Sequence, residues 1–140
     1  MKILSIQKAK FQVGAVIQTK GDGSLACSLL DDFNNLEAIH AAARNRFLAY
    51  FGQVANNGPR ALNPAQFHQV DATHKIYEFI ASNLRVLYFQ GESGQVVICT
   101  HMFVKKSQKT PAQELARAVR VKKEYELAVK AGLVEWREEI

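Results

Sequence analysis

Three strand-length runs follow one another between Lys75 and Val104, each closed by a turn signal too short to hold another element. Lys75 to Ala81 passes through Ser82-Asn83 into Leu84 to Gln90. Gly91-Glu92-Ser93-Gly94 then turns the chain into Gln95 to Val104. Connections this short leave an antiparallel meander as the arrangement to expect. The segment Phe103-Val104-Lys105-Lys106-Ser107-Gln108-Lys109-Thr110-Pro111 leaves the meander, and Thr110-Pro111-Ala112-Gln113 opens a helix. Thr is a good cap, Pro suits the first helical position, and Gln at the third can complete a capping box. Leu115, Ala118, Val119, Tyr125 and Ala128 give this helix, about Pro111 to Ala131, an apolar side, and Gly132 ends it. The cations of the basic segment therefore sit where a sheet edge, a loop and a helix start meet, which suits an anion with several phosphates.

The half before the meander reads as support. Met1 to Gln7 is a candidate strand, and Phe11 to Thr19 and Ser24 to Leu30 flank the turn Lys20-Gly21-Asp22-Gly23 as a hairpin. Asp31 and Asp32 break that pattern. Asn34 or Asn35 caps a helix whose buried face is Leu36, Ile39, Ala43, Phe47, Tyr50 and Val54, ended by Asn56-Asn57-Gly58-Pro59. Arg44, Arg46 and His40 read as the solvated face of that helix. Asn63-Pro64 predicts a short helix or turn over Ala65 to Gln69. The tail from Leu133 to Ile140 holds the only tryptophan, Trp136, which is expected to pack. The fold class is α+β: a small antiparallel sheet of three or four strands packed against N-terminal helices, with a C-terminal helix. A length of 140 residues is most simply one domain.

Charge and motif content narrow the chemistry. The net charge is +5, and the window from Lys105 to Lys123 holds Glu114 as its one acid, which points the basic surface at an anionic partner. No Walker loop, dinucleotide fingerprint, serine-hydrolase elbow or Cys/His metal pattern is present, so no cofactor and no metal are expected. Cys27 and Cys99 lie far apart in apolar runs and read as small buried hydrophobes of a reducing compartment. No run is long and apolar enough for a membrane span and no secretory leader is visible, so a soluble, cytoplasmic protein is expected. What remains is Arg85, Tyr88, His101, Lys105, Lys106 and Lys109. Such a set can cleave RNA, because the attacking 2′-hydroxyl belongs to the substrate and the protein has only to orient it, neutralise the phosphate and move protons. Alternation puts Arg85 on one face with Leu87 and Phe89, either snorkelling at the rim or pointing into a concave site. His101 shares parity with Phe103 and Lys105, and reads equally as a core histidine or a proton carrier. Lys105 and Lys106 read as phosphate ligands or as a solvated strand end.

The run His101-Met102-Phe103-Val104-Lys105-Lys106-Ser107-Gln108-Lys109-Thr110-Pro111-Ala112-Gln113-Glu114 resembles the RelE/ParE toxin superfamily, in its phage-derived HigB-like branch. The likeness spans roughly Ala38 to Ala128 and is strong from Ile76 onward. It implies one toxin domain over residues 1–140, with 1–34 as an N-terminal hairpin extension, 35–132 as the core and 133–140 as a tail. It implies a toxin of a type II toxin–antitoxin pair that cuts mRNA on the ribosome, held by a cognate antitoxin, a small helix-turn-helix protein. The alternatives are a ParE-like, non-catalytic inhibitor of DNA gyrase and a non-toxic binding homologue. Carried over by position, Arg85 matches the family's strand arginine, Lys105, Lys106 and Lys109 match the lysines of the motif, and Glu78 matches an acid of the preceding strand. Where the family pattern is Glu-Leu-Arg, this chain has Glu78-Phe79-Ile80. The expected catalytic set is Arg85, Tyr88, His101, Lys105 and Lys106, with Lys109, Arg117 and Arg120 on the RNA.

Overall fold

In the computed structural model, which describes residues 1–140, the chain runs β1 (Lys2–Lys8), β2 (Gln12–Val16), β3 (Gln18–Thr19), β4 (Leu25–Ala26), α1 (Ser28–Asn34), α2 (Ala41–Asn57), β5 (Phe67–Asp71), β6 (Ile76–Ala81), β7 (Leu84–Gln90), β8 (Val96–Val104), α3 (Ala112–Ala131) and β9 (Glu135–Arg137). The fold is α+β. One sheet takes seven strands in the order β5-β6-β7-β8-β2-β1-β9, while β3 and β4 form a separate pair. The meander β6-β7-β8 is antiparallel with the expected turns, and β5 extends it. β2 joins β8 in parallel, and β9 joins β1 in parallel.

The two faces of this sheet carry two cores. Val13, Ala15, Phe79, Val86, Tyr88 and Cys99 face α1 and α2, meeting Leu29, Phe33, Phe47, Phe51 and Val54. Ile3, Ile76, Leu87, Phe89, Ile98 and Phe103 face the other way, toward Ala118 and Tyr125 of α3. A β-bulge decides which side the end of β8 presents. Leu87 pairs with His101 but Tyr88 pairs with Cys99, so Thr100 is an extra residue on β8. A bulge of this kind inverts the alternation beyond it. Cys99 consequently belongs to the α2 side, whereas His101 and Phe103 belong to the α3 side, and Lys105 follows them onto the face that already carries Arg85.

Several expectations are corrected. The sheet has seven strands rather than three or four, because β1 and β2 continue the meander past β8, β5 extends it beyond β6, and β9 adds to β1. Ser24 to Leu30 is not one strand: Leu25–Ala26 pairs with Gln18–Thr19, and Ser28 begins α1. Leu29 and Phe33 are four apart and both buried, and Asp31 lies in the first helical turn, where the dipole favours an anion. Asn34 ends that helix rather than capping the next, which starts at Ala41 behind a 3₁₀ turn at Ala38–His40. No helix forms over Ala65 to Gln69. Asn63 Oδ1 accepts from the Ala65 N–H at 2.9 Å to close a turn, and β5 starts at Phe67. Thr110 does not cap α3; Pro111, extended at ψ 138°, is the cap residue, and no side chain bonds the helix start. Gly132 ends α3 as expected, at φ 71° and ψ 27°. Trp136 packs on Gly14, where a β-carbon would lie 2.5 Å from the indole ring.

Candidate nucleic-acid interface

The ends of β7 and β8 and the loop that leaves β8 enclose a shallow basin lined by Ser82, Asn83, Arg85, Lys105, Lys106, Ser107 and Gln108. Its wall holds three cations, no acid and no apolar side chain. A second depression adjoins it across Lys105 and Gln108 and adds His68, Lys109 and Thr110. The lysines reach this place because the bulge at Thr100 turns Lys105 to the α3 side and the loop from Lys105 to Pro111 then carries Lys106 and Lys109 into solvent.

Arg85 is held in place rather than free. Its Nη1 donates to the carbonyls of Ser82 at 2.8 Å and Leu84 at 2.9 Å, and its Nε lies 3.5 Å from Glu78 Oε1. Nη2 is the nitrogen left for a ligand. The carbonyl of Ser82 is aimed at Arg85 from a turn residue at φ 56°, a conformation that non-glycine residues rarely adopt. Behind the cations stands Glu78, with a fully buried side chain. Its Oε1 lies 3.2 Å from His68 Nε2, 3.5 Å from Arg85 Nε and 3.7 Å from Lys105 Nζ. None of the three is aligned as a hydrogen bond, and both carboxylate oxygens are unpaired in that sense. A buried carboxylate needs such partners to remain charged, and here it serves as the common anchor of three groups on the rim.

The other expected residues are placed elsewhere. His101 is fully buried, with Nδ1 3.0 Å from Thr100 Oγ1 and Nε2 3.4 Å from Glu114 Oε1 without hydrogen-bond alignment. Burial first, then the charges of Arg117 and Arg120, push its pKa down to about 4, so the ring is neutral at pH 7 and closed to a ligand. Tyr88 points to the opposite face of the sheet, stacked on Phe79 with ring centroids 4.1 Å apart, and burial drives its phenol pKa upward. Neither residue lines the basin. Arg117 donates to Ser28 Oγ at 3.3 Å and, with the exposed Arg120, lines a separate polar groove beside Lys2, Gln18 and Thr19. The structure thus brings Arg85, Lys105, Lys106 and Lys109 together and separates them from His101, Tyr88, Arg117 and Arg120. His68, which forms no metal-ligand pattern with His74 in the sequence, joins the site because Phe67–Asp71 forms a strand rather than a helix. In β5 His68 stands directly across from Glu78, and the stretch Phe67-His68-Gln69-Val70 has no alternation in its sequence that would have marked it as a strand.

No group of three or more His, Cys, Asp or Glu residues gathers to hold a metal ion, and no helix is long and apolar enough to cross a membrane. The family model described as phage derived protein Gp49-like (DUF891) matches residues 33–123. The chain belongs to that family. The Gp49-like family is a RelE-like toxin family of toxin–antitoxin systems, and the matched span contains β5 to β8, the whole basin and the first turns of α3. No curated protein matches the chain. Within the Gp49-like span, Lys105 to Gln108 of the lysine-rich motif wall the basin together with Ser82, Asn83 and Arg85, and Lys109 lines the depression beside it.

Proposed function

We propose that this Gp49-like protein is the toxin of a type II toxin–antitoxin pair and an endoribonuclease of the HigB kind that cuts ribosome-bound mRNA in the cytoplasm. The observation that carries the reading is the wall of the basin: three cations, converging on one opening, with no acid among them. Cleavage by the 2′-hydroxyl builds negative charge on the phosphate oxygens, and fixed donors aimed at that charge stabilise the transition state without reorganising. Arg85 is such a donor, because hydrogen bonds from Nη1 to two backbone carbonyls fix the orientation of its remaining nitrogen. Lys105 and Lys106 add positive charge beside it, and Lys109 extends the field along the RNA strand. Arg117 and Arg120, in the groove across α3, hold rRNA or mRNA backbone further along. A helix-turn-helix antitoxin neutralises the toxin by laying an acidic segment over Arg85 and Lys105, in an encounter that charge complementarity speeds and salt slows.

Primer extension on mRNA in a translating extract tests this. The wild type is expected to cut. Lys106→Ala, a change in an exposed side chain with no partner, is expected to cut more slowly, and Lys105→Ala/Lys106→Ala to cut roughly 10²–10³-fold more slowly. A wild type that cuts nothing yet arrests growth with DNA damage would replace the nuclease by a gyrase inhibitor. Neither cleavage nor arrest would leave a binding homologue.

A further inference from the structure

We propose that His68 is a further catalytic residue of this basin, the acceptor of the proton from the attacking hydroxyl, and that the buried carboxylate of Glu78 positions it. The inference rests on the nuclease reading above and deepens it. A basin walled by Arg85, Lys105 and Lys106 can neutralise a phosphate, but it offers no neutral group poised to take a proton. Of the four histidines, His101 is closed to solvent. His74 is engaged through Nδ1 by Asp71 at 2.7 Å, in the turn between β5 and β6, and His40 precedes α2. His68 differs from all of them: its side chain is 48% exposed, it lines the depression that shares Lys105 with the basin, and its Nε2 lies 3.2 Å from a carboxylate that is itself fully buried.

An imidazole backed by a buried carboxylate, with its other nitrogen free, is the arrangement by which a base is oriented and its protonated form stabilised. Glu78 is across the strand pair from His68, so the contact is built into the register of β5 and β6 rather than left to a loop. The pair is not aligned as a hydrogen bond in the free protein. Catalytic hydrogen bonds are often long before substrate tightens them, and Glu78 has an oxygen with no other claim on it. With Nε2–H turned to Glu78, Nδ1 is the base. The proton of the 2′-hydroxyl passes to Nδ1 as the 2′ oxygen bonds to phosphorus. The bond from phosphorus to the 5′ oxygen breaks, and that oxygen takes a proton from the Lys106 ammonium. The products are a 2′,3′-cyclic phosphate and a 5′-hydroxyl; His68 then releases its proton to water and Lys106 regains one.

The test uses the full-length protein in the same translating extract, with binding measured on an oligonucleotide whose 2′ oxygens are methylated and cannot attack. His68→Gln is expected to cut about 10²–10⁴-fold more slowly with unchanged affinity for the methylated oligonucleotide and an unchanged melting temperature. Added imidazole is expected to restore part of the activity of His68→Ala and none of that of Lys105→Ala/Lys106→Ala. Glu78→Gln is expected to lower kcat with little change in KM. If His68→Gln cuts like wild type while Lys105→Ala/Lys106→Ala does not, His68 is removed and the nuclease reading stands. If His68→Gln loses affinity in proportion to cleavage, it is a binding residue and the proposal is overturned. A wild type that cuts no RNA overturns both.

Discussion

Glu78 holds one negative charge against Arg85, Lys105 and the ring of His68, and it does so with no exposed surface. Removing one partner from a buried ion pair is more damaging than removing both, because the orphaned charge keeps its desolvation cost. Arg85→Ala is therefore expected to lower the melting temperature as well as cleavage, and adding Glu78→Gln to it should recover part of the stability without recovering activity. Thermal melts of the single and double variants decide this; a double variant less stable than Arg85→Ala would show that the carboxylate is not the source of the loss. His101 makes the second prediction at this scale. Its pKa in the folded chain is pushed down to about 4 from an ordinary 6.5, chiefly by burial and then by Arg117 and Arg120. Glu114 at 3.4 Å pulls the other way but is poorly aligned, so burial wins. The unfolded chain then binds this proton more tightly than the folded one. The contribution is fully present above pH 6.5 and is lost as pH falls from there toward 4, the loss amounting to about 3 kcal/mol at the acid end. Urea denaturation at pH 7 and pH 5 should show wild type losing more stability than His101→Gln between the two. Equal losses would mean that the ring is protonated within the fold.

At the scale of elements, the close approach of β9 to the first hairpin is a testable joint. Gly14 faces the Trp136 ring and Ile3, with a built β-carbon 2.5 Å and 2.6 Å from them, whereas a β-carbon at Gly132 meets nothing within 4 Å. Gly14→Ala is expected to push Trp136 outward, red-shift its fluorescence and lower the melting temperature. Gly132→Ala should cost about 1 kcal/mol through its left-handed backbone alone and leave the fluorescence unchanged. The contrast explains what could be read from the sequence. The meander and α3 were legible because their signals are local: turns of two and four residues, and an apolar face closed by Gly132. The parallel contacts of β2 with β8 and β9 with β1 have no local signature, since the partners are remote in the chain. The short α1 was hidden because a seven-residue helix carries too few turns to distinguish its period from a strand's. Arg85, Lys105 and Lys106 were legible as a group from the motif, and the shared parity of His101, Phe103 and Lys105 held because the bulge at Thr100 lies ahead of all three. The burial of His101 was not legible, because parity assigns a face but not whether a helix covers it. The partnership of His68 with Glu78 needed the register of β5.

For the whole molecule, a net charge of +5 says less than where the charge lies. Lys106 and Lys109 follow the end of β8, while Lys8 and Lys10 lie at the other end of the sheet: Lys8 pairs with Gln12, and Gln12 pairs with Val96 at the start of β8. All four lysines are exposed. Lys106→Gln/Lys109→Gln and Lys8→Gln/Lys10→Gln thus remove the same two charges from opposite ends of one sheet. Single-stranded nucleic acid releases about 0.7 counterion for each phosphate a protein neutralises, so the slope of log affinity against log salt counts the cations at the interface. If Arg85, Lys105, Lys106 and Lys109 are the contacts, the wild-type slope on a short 2′-O-methylated oligonucleotide should be about −3. It should weaken by about half in Lys106→Gln/Lys109→Gln and not change in Lys8→Gln/Lys10→Gln. A fluorescence titration at several salt concentrations gives all three slopes. Equal weakening in both variants would mean that the molecule attracts RNA as a diffuse positive body, and the basin would lose its claim to be the place where the strand lies.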